Sequence, residues 1–202
     1  MADLTSMRPM SEPGEVQAAY RHYLRNTPTY GTYEDRMPEY AVIGRQLQLM
    51  LLRPDESVLD VGAGSCDLDH YLRTEVGWRG QYLPVDGSLM GDDLNTWEIP
   101  DGVQFDWVVC CEVIEHVYDP ERLFGQLVKA ARQGLIITTP NPAVVDVYAL
   151  DPGHVSAISE GDLESWSEKR GVPFAVGGSL NFSNRGGSDE IGWDTLIYVA
   201  KF

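Results

Sequence analysis

The chain has no apolar run approaching the roughly 18 residues that a membrane-crossing helix needs. Its opening stretch, MADLTSMRPMSEPGE, lacks the apolar centre of a secretory signal. Cysteine is scarce, and the three present are an odd number. Two of them, Cys110 and Cys111, are adjacent in an apolar run, which argues for reduced thiols in a cytoplasmic setting rather than a disulfide framework. Basic side chains are few: 15 Lys and Arg stand against 31 Asp and Glu, for a net charge of −16. A field of that sign repels phosphate backbones and argues against a general nucleic-acid partner. The small cluster of Arg21, His22, Arg25, Arg36 and Arg45 is the local exception and reads as a solvated helix face. No repeat, low-complexity tract or linker divides the 202 residues, a length suited to one well-buried domain.

What is present is an alternation of short apolar strands with helices. Strands are expected at Ser57–Val61, Gln81–Val85, Phe105–Cys110 and Leu135–Thr138. Helices are expected at Pro38–Leu52 and Asp67–Arg73, and again from the Asp119 cap with Pro120 at the first helical position, closing at Gly134. A helix over Gly161–Lys169 and two late strands, Phe174–Val176 and Thr195–Ala200, follow. Strands that alternate with helices imply a mostly parallel sheet covered on both faces. The late pair lacks an intervening helix and is therefore expected to run antiparallel. Residues 1–37 read as a flexible start and a helical cap (a helix over Glu15–Asn26, with Tyr20, Tyr30 and Tyr33 as covering residues), and residues 38–202 as the Rossmann-like core of a single domain.

The segment VLDVGAGSCD, Val58 to Asp67, is a strand entering a glycine turn and then a helix. Gly62 and Gly64 allow a ligand to approach the backbone closely, and the helix start offers unpaired N–H groups. Asp86 ends the next strand, where a carboxylate can accept bonds from ribose hydroxyls. A dinucleotide site would want a third glycine where this chain has Asp67. S-adenosylmethionine, with one carboxylate and a sulfonium cation, suits the acidic surroundings better.

On VLDVGAG, the YLPVD strand end, GDDL, FDWVVCCEVIEH and GLIITTPNP, the chain resembles the class I S-adenosylmethionine-dependent methyltransferases. The resemblance implies a Rossmann-like α/β sandwich with a mostly parallel, seven-stranded sheet and an antiparallel last strand. It implies that Asp60, Gly62, Ala63 and Gly64 hold the methionine end of the cofactor, with Cys111 lining it. Asp86, followed by Gly87, would hold the ribose, and Asp92 or Asp93 would meet the adenine amino group with Leu94 beside the ring. Two departures stand out: many members have glycine where this chain has Cys66, and a bulky apolar residue where it has Gly87. Gly87 leaves adenine packing to Leu89, Met90 or Leu94.

Three readings compete for EVIEH, Glu112 to His116. His116 can be a general base or substrate-positioning group supported by Glu112 and Glu115, as in the similar motif of ubiquinone-type O-methyltransferases. Glu112, Glu115, His116 and His154 can instead hold a divalent metal, as in the small-RNA 2′-O-methyltransferases that the motif also resembles. Or the segment is only a polar turn ahead of the Asp119 cap. The expected activity is methyl transfer from S-adenosylmethionine to oxygen of a small-molecule acceptor, with no metal favoured. The alternatives are a metal-dependent nucleic-acid 2′-O-methyltransferase and a non-catalytic cofactor-binding scaffold.

Overall fold

The computed structural model describes residues 33–87, 91–151, 153–182 and 193–202. The expected helix over 15–26, and Tyr20, Tyr30, Leu89 and Met90, lie outside these residues. Helix α1 spans Tyr33–Leu49 and β1 spans Val58–Val61. The short α2, Asp67–Tyr71, runs on into a π-helical turn, Leu72–Val76. Strand β2 (Tyr82–Val85) and β3 (Phe105–Cys111) follow, and a 3₁₀ turn, Ile114–His116, precedes α3 (Pro120–Ala130). The chain continues through β4 (Ala131–Pro140), α4 (Val147–Leu150), α5 (Glu160–Arg170), β5 (Val176–Phe182) and β6 (Trp193–Lys201).

Six strands are present among the described residues, in the order β2-β1-β3-β4-β6-β5. The first four pair in parallel, and β6 runs antiparallel to both β4 and β5. The seventh strand implied by the resemblance is not among them. Residues 91–104, between β2 and β3, form turns and irregular backbone, with Ile99 and Val103 buried against the sheet.

Every residue of β1 is buried, because both faces of the sheet are covered. Strand alternation sorts side chains between two cores. Leu59, Val108, Cys110, Leu135 and Ile137 face the core shared with Phe124 and Leu127 of α3 and with Leu163 of α5. Val58, Trp107, Val109 and Ile136 face the core shared with Ile43 and Leu47 of α1 and with Leu68 of α2. Removing a fully buried ring such as Phe124 would cost about 3–5 kcal/mol in lost contacts and residual cavity.

Two expected boundaries are corrected. Pro38 does not open α1 but lies inside it, so one helix runs across the 37/38 boundary drawn between cap and core. Gly134 does not close α3: that helix ends at Ala130, and Gly134 belongs to β4. A Cβ there would stand 2.5 Å from the Trp107 ring and 2.7 Å from the Ala200 carbonyl oxygen, so glycine marks close strand-to-ring packing rather than a helix end. The Asp119 cap does form, its side chain accepting from the Arg122 amide at 3.0 Å. The Ser159 capping box likewise starts α5 one residue earlier than its apolar pattern suggested.

Candidate active site

Strand order reverses between β1 and β3: the chain steps from β1 outward to β2, then back past β1 to β3 and β4. At such a point the loops leaving the carboxyl ends of two neighbouring strands diverge and leave a crevice. A cleft of about 480 Å³ opens there, walled by Gly62 and Gly64 after β1, Asp86 and Gly87 after β2, and Cys111, Glu112 and His116 after β3. Asp92, Asp93 and Leu94 close its far side. A smaller inner cavity adjoins it, lined by Glu39 and Tyr40 of α1 and by Asp60, Ala63 and Leu68. Each of the ten residues expected to touch cofactor therefore lies on one wall or the other.

The turn is held by backbone geometry. Gly62 has φ of +82°, and a Cβ on it would meet Val113 Cγ2 at 2.0 Å. The Gly62 amide donates to the Val85 carbonyl at 2.7 Å, and the Gly64 amide donates to Asp86 Oδ2 at 3.0 Å, so the β2 carboxylate braces the glycine turn itself. Cys66 sits at φ of +60°, a left-handed conformation that explains why glycine is common at this position and that a small side chain tolerates. At Gly87 a Cβ would come within 3.0 Å of the Asp92 carbonyl oxygen, which leaves little room for a bulky side chain.

Electrostatics differ along the cleft. Asp60 is buried, accepts a hydrogen bond from the Tyr82 hydroxyl, and is pushed up to about 7 by burial and then by Asp86. Burial also raises the thiols of Cys110 and Cys111 well above their ordinary value, so neither is a nucleophile. Glu112 takes a positive φ of 52°, a costly conformation for a non-glycine residue at the exit of β3. Its amide donates to Thr138 Oγ1 at 3.1 Å, and that hydroxyl in turn donates to Glu39 Oε1 at 2.8 Å, tying α1 to the loop after β3.

At the acceptor side, His116 lies on the cleft wall while Glu115 does not. Glu115 is fully buried behind it, with Oε2 accepting from Thr139 Oγ1 at 3.1 Å and Oε1 lacking any hydrogen-bond partner. Burial, and then the charge of Glu112, raise its carboxyl well above the ordinary range. His116 Nδ1 lies 3.0 Å from the Gly153 carbonyl and His154 Nδ1 lies 2.6 Å from the Val147 carbonyl. A carbonyl can only accept, so both Nδ1 atoms carry a proton, and in a neutral His116 ring the lone pair is then at Nε2. Burial lowers the His116 pKa, which favours the neutral imidazole. The two rings meet edge to face with centroids 4.7 Å apart, and His154 Nε2 is 3.9 Å from Glu115 Oε1. Ligand atoms of Glu115, His116 and His154 all fall within 4.8 Å of one another. Glu112, the fourth member of the expected metal set, is not in that group.

Sequence reasoning missed several wall residues. Asn95 lines the cleft and receives the Tyr118 amide at 2.8 Å, and Val113 packs under the glycine turn. Arg36 borders both cavities, although it reads in sequence as one more surface cation. Its signal is the helical spacing to Glu39 and Tyr40. Asn141, just after β4, lines neither cavity and acts as a brace: it donates to Asp194 at 3.0 Å and accepts from the Ala143 amide at 3.1 Å.

A glycine turn braced by an acidic β2 end, at the switch point of a parallel sheet, defines a nucleoside-binding α/β enzyme. Residues 33–172 match a methyltransferase-domain family, and the chain belongs to that family. It is an S-adenosylmethionine-dependent methyltransferase with a Rossmann-like fold. Solved structures share that fold at low identity. One is a chain of the complex between the Haloferax volcanii Trm112 methyltransferase activator and a methyltransferase, 16% identical, TM-score 0.67, covering 95% of this chain and 97% of that one. An S-adenosylmethionine-dependent methyltransferase from Archaeoglobus fulgidus is 16% identical with TM-score 0.61, over 90% of this chain and 99% of its own. The magnesium protoporphyrin IX methyltransferase of Synechocystis, solved with bound S-adenosylhomocysteine, is 14% identical with TM-score 0.55, over 94% and 99%. Among curated proteins there is no match. No helix among the described residues is long and apolar enough to cross a membrane.

Proposed function

We propose that the enzyme methylates a hydroxyl oxygen of a small molecule. The observation that carries this reading is His116, on the cleft wall with Nδ1 committed to Gly153 and Nε2 left as a proton acceptor. When bound, S-adenosylmethionine supplies an electrophilic methyl group. Gly62, Gly64 and the other glycine-turn residues would hold its methionine end, Asp86 its ribose hydroxyls, and Asp92, Asp93 and Leu94 its adenine. The residues fit the group: Gly62 and Gly64 border the cleft without side chains, and its walls carry carboxylates suited to a cation. His116 then takes the acceptor hydroxyl proton at Nε2, and Glu112 on the same wall helps to position the acceptor. Glu115 acts from behind through Thr139 and the His154 ring, as a positioning group.

The test is His116→Ala, assayed by turnover on a panel of small phenols and alcohols and by calorimetric binding of S-adenosylhomocysteine. Turnover should fall by about 10²–10⁴-fold with affinity for the product cofactor unchanged. Unchanged turnover would remove His116 from the chemistry.

A second reading is favoured by one observation, the convergence of Glu115, His116 and His154 with the unpartnered Glu115 Oε1 between them. These three groups would hold a divalent cation, imidazole favouring Mn²⁺ over Mg²⁺, in a metal-dependent 2′-O-methyl transfer to a nucleic acid. The carboxylate-rich walls argue against a polyanionic acceptor. Calorimetry with Mn²⁺ decides: micromolar binding that is lost in His154→Ala supports the metal, and chelator-insensitive turnover excludes it.

A further inference from the structure

Residues 91–104 connect β2 to β3 and press Ile99 and Val103 against the sheet, yet they pair with no strand among the described residues. Backbone groups laid against a core need partners, and a segment without a ladder must find them elsewhere. Here α3 supplies them. Arg122, Gln126 and Lys129 occupy positions i, i+4 and i+7 of that helix and so share one face. Lys129 Nζ donates to the Ile99 carbonyl at 2.9 Å, and Gln126 Oε1 accepts from the Ile99 amide at 3.1 Å. Arg122 donates through one Nη to the Leu94 carbonyl at 2.7 Å and through the other to the Trp97 carbonyl at 2.8 Å. Between those carbonyls the chain turns on itself, the Thr96 and Trp97 amides donating to the Asp93 carbonyl at 2.9 Å and 2.7 Å. These clasps do not stand in equivalent places. Asp92, Asp93, Leu94 and Asn95 line the cleft, whereas Ile99 lines neither cavity. Of the clasps from α3, that of Arg122 alone closes on the part of the segment that faces a ligand.

We propose that Arg122 is a positioning residue for nucleobase recognition: it lines neither cavity itself but fixes the Asp93–Trp97 turn where the cleft reads the base. The inference rests on the S-adenosylmethionine reading of the cleft and adds what that reading leaves open, namely how a wall with no strand behind it keeps its shape. A guanidinium suits the task because its planar fork donates in fixed directions, so two carbonyls three residues apart are held at once. The 6-amino group of adenine donates, and a carboxylate on Asp92 or Asp93 accepts. A 6-oxo base presents an acceptor at the same point and meets the carboxylate with repulsion. Discrimination of this kind depends steeply on distance and angle, so it is lost when the turn drifts by about 1 Å. Contacts at the ribose and the amino-acid end come from the loops after β1 and β2 and do not depend on the turn.

The experiment compares two ligands that differ at the base alone. S-adenosylhomocysteine carries adenine, and its deaminated analogue, S-inosylhomocysteine, carries hypoxanthine. Calorimetric dissociation constants are measured on the full chain for wild type, Arg122→Met, Arg122→Lys and Lys129→Met. Wild type should prefer S-adenosylhomocysteine by about 10-fold or more, the loss expected when a hydrogen bond to a charged group is removed. In Arg122→Met, S-adenosylhomocysteine should weaken by about 10-fold while S-inosylhomocysteine stays within about 3-fold of wild type, so the preference disappears. Arg122→Lys, which can hold one carbonyl at a time, should keep part of the preference. If Arg122→Met does not fold, Arg122→Lys decides alone, and a full preference in it counts against the inference. Lys129→Met removes a clasp on the same segment away from the cleft, so it should lower the melting temperature and leave the preference as in wild type. A merely structural role for Arg122 predicts that both variants lose stability and neither changes the preference. That outcome, equal weakening of both ligands in Arg122→Met, or an equal loss of preference in Lys129→Met would overturn the inference. If wild type binds the two ligands equally well, the cofactor reading survives and the base-reading role of the turn does not. If wild type binds neither, the cofactor reading itself fails and takes the inference with it.

Discussion

The two ends of the parallel sheet carry buried carboxylates in opposite conditions. At the amino ends of β1 and β3, Asp106 accepts from the Ser57 amide at 2.9 Å, the Ser57 hydroxyl at 2.8 Å, Gln133 at 2.7 Å and Arg132 Nε at 3.1 Å. Glu56 beside it accepts from the Arg53 amide at 2.9 Å, Trp107 Nε1 at 2.8 Å and Gln133 at 2.7 Å. Despite burial, these donors hold both carboxyls below their ordinary values. At the carboxyl ends, Asp60 has the Tyr82 hydroxyl and Glu115 has Thr139, and burial pushes both upward. All four carboxylates have little solvent exposure, but Asp60 and Glu115 lie deeper in the protein and have fewer donors, and both differences push their pKa values up. One end of the sheet spends its polar groups on the fold, and the other leaves acceptor capacity for a ligand.

The comparison breaks most sharply at Asp106. Asp106→Ala should lower stability by about 3 kcal/mol, because it strips a partner from five donor groups on Ser57, Gln133 and the exposed Arg132, and it should leave S-adenosylhomocysteine affinity unchanged. Chemical denaturation and calorimetry on the same variant check both halves. The folded Asp106 pKa is depressed, so its contribution is present above the unfolded value near 4 and is lost as pH falls below it. The gap between wild type and Asp106→Ala should therefore narrow in acid.

Asp60 should behave with the opposite sign. Its folded pKa of about 7 exceeds the ordinary 3.8, so between those values the folded state keeps a proton that the unfolded state has released. Stability therefore drains away as pH rises through that window. Asp60→Asn removes the effect, and its stability relative to wild type should improve by at least about 1 kcal/mol between pH 4 and pH 8. Denaturation curves at the two pH values measure this, and a flat difference would show that Asp60 is ionised in the folded protein.

The smallest effect belongs to Glu115→Gln. Burial favours the neutral form of the Glu115 carboxyl, which an amide resembles in charge and shape, so stability should change by less than about 1 kcal/mol. A loss several-fold larger in thermal or urea unfolding would mean that Glu115 is ionised, as it would be against a bound cation.

Much of this was legible in the chain. The glycine turn and the acid ending β2 are local features, and a strand followed by a turn needs only its own residues to be recognised. The parallel part of the sheet followed from strands alternating with helices, and the antiparallel end from the lack of a helix between the last two strands. Helix and strand limits were less legible, because Pro38 and Gly134 look like punctuation in sequence while packing keeps one inside a helix and the other inside a strand. The fold alone also showed that Glu115 lies behind the cleft wall while its neighbour His116 lies on it.

By itself, then, the sequence determined the Rossmann-like class, the place of the cofactor turn and the candidate set around EVIEH. Tertiary structure decided what those candidates can do. His154 is 38 positions from His116, yet the segment after β4 folds back so that the Gly153 and Val147 carbonyls hold both rings at Nδ1, with the ring centroids 4.7 Å apart. Arg36 reaches the same crevice from a helix that precedes β1. Contacts between residues so far apart depend on how the layers pack, and no local pattern of residues encodes a distance across the core.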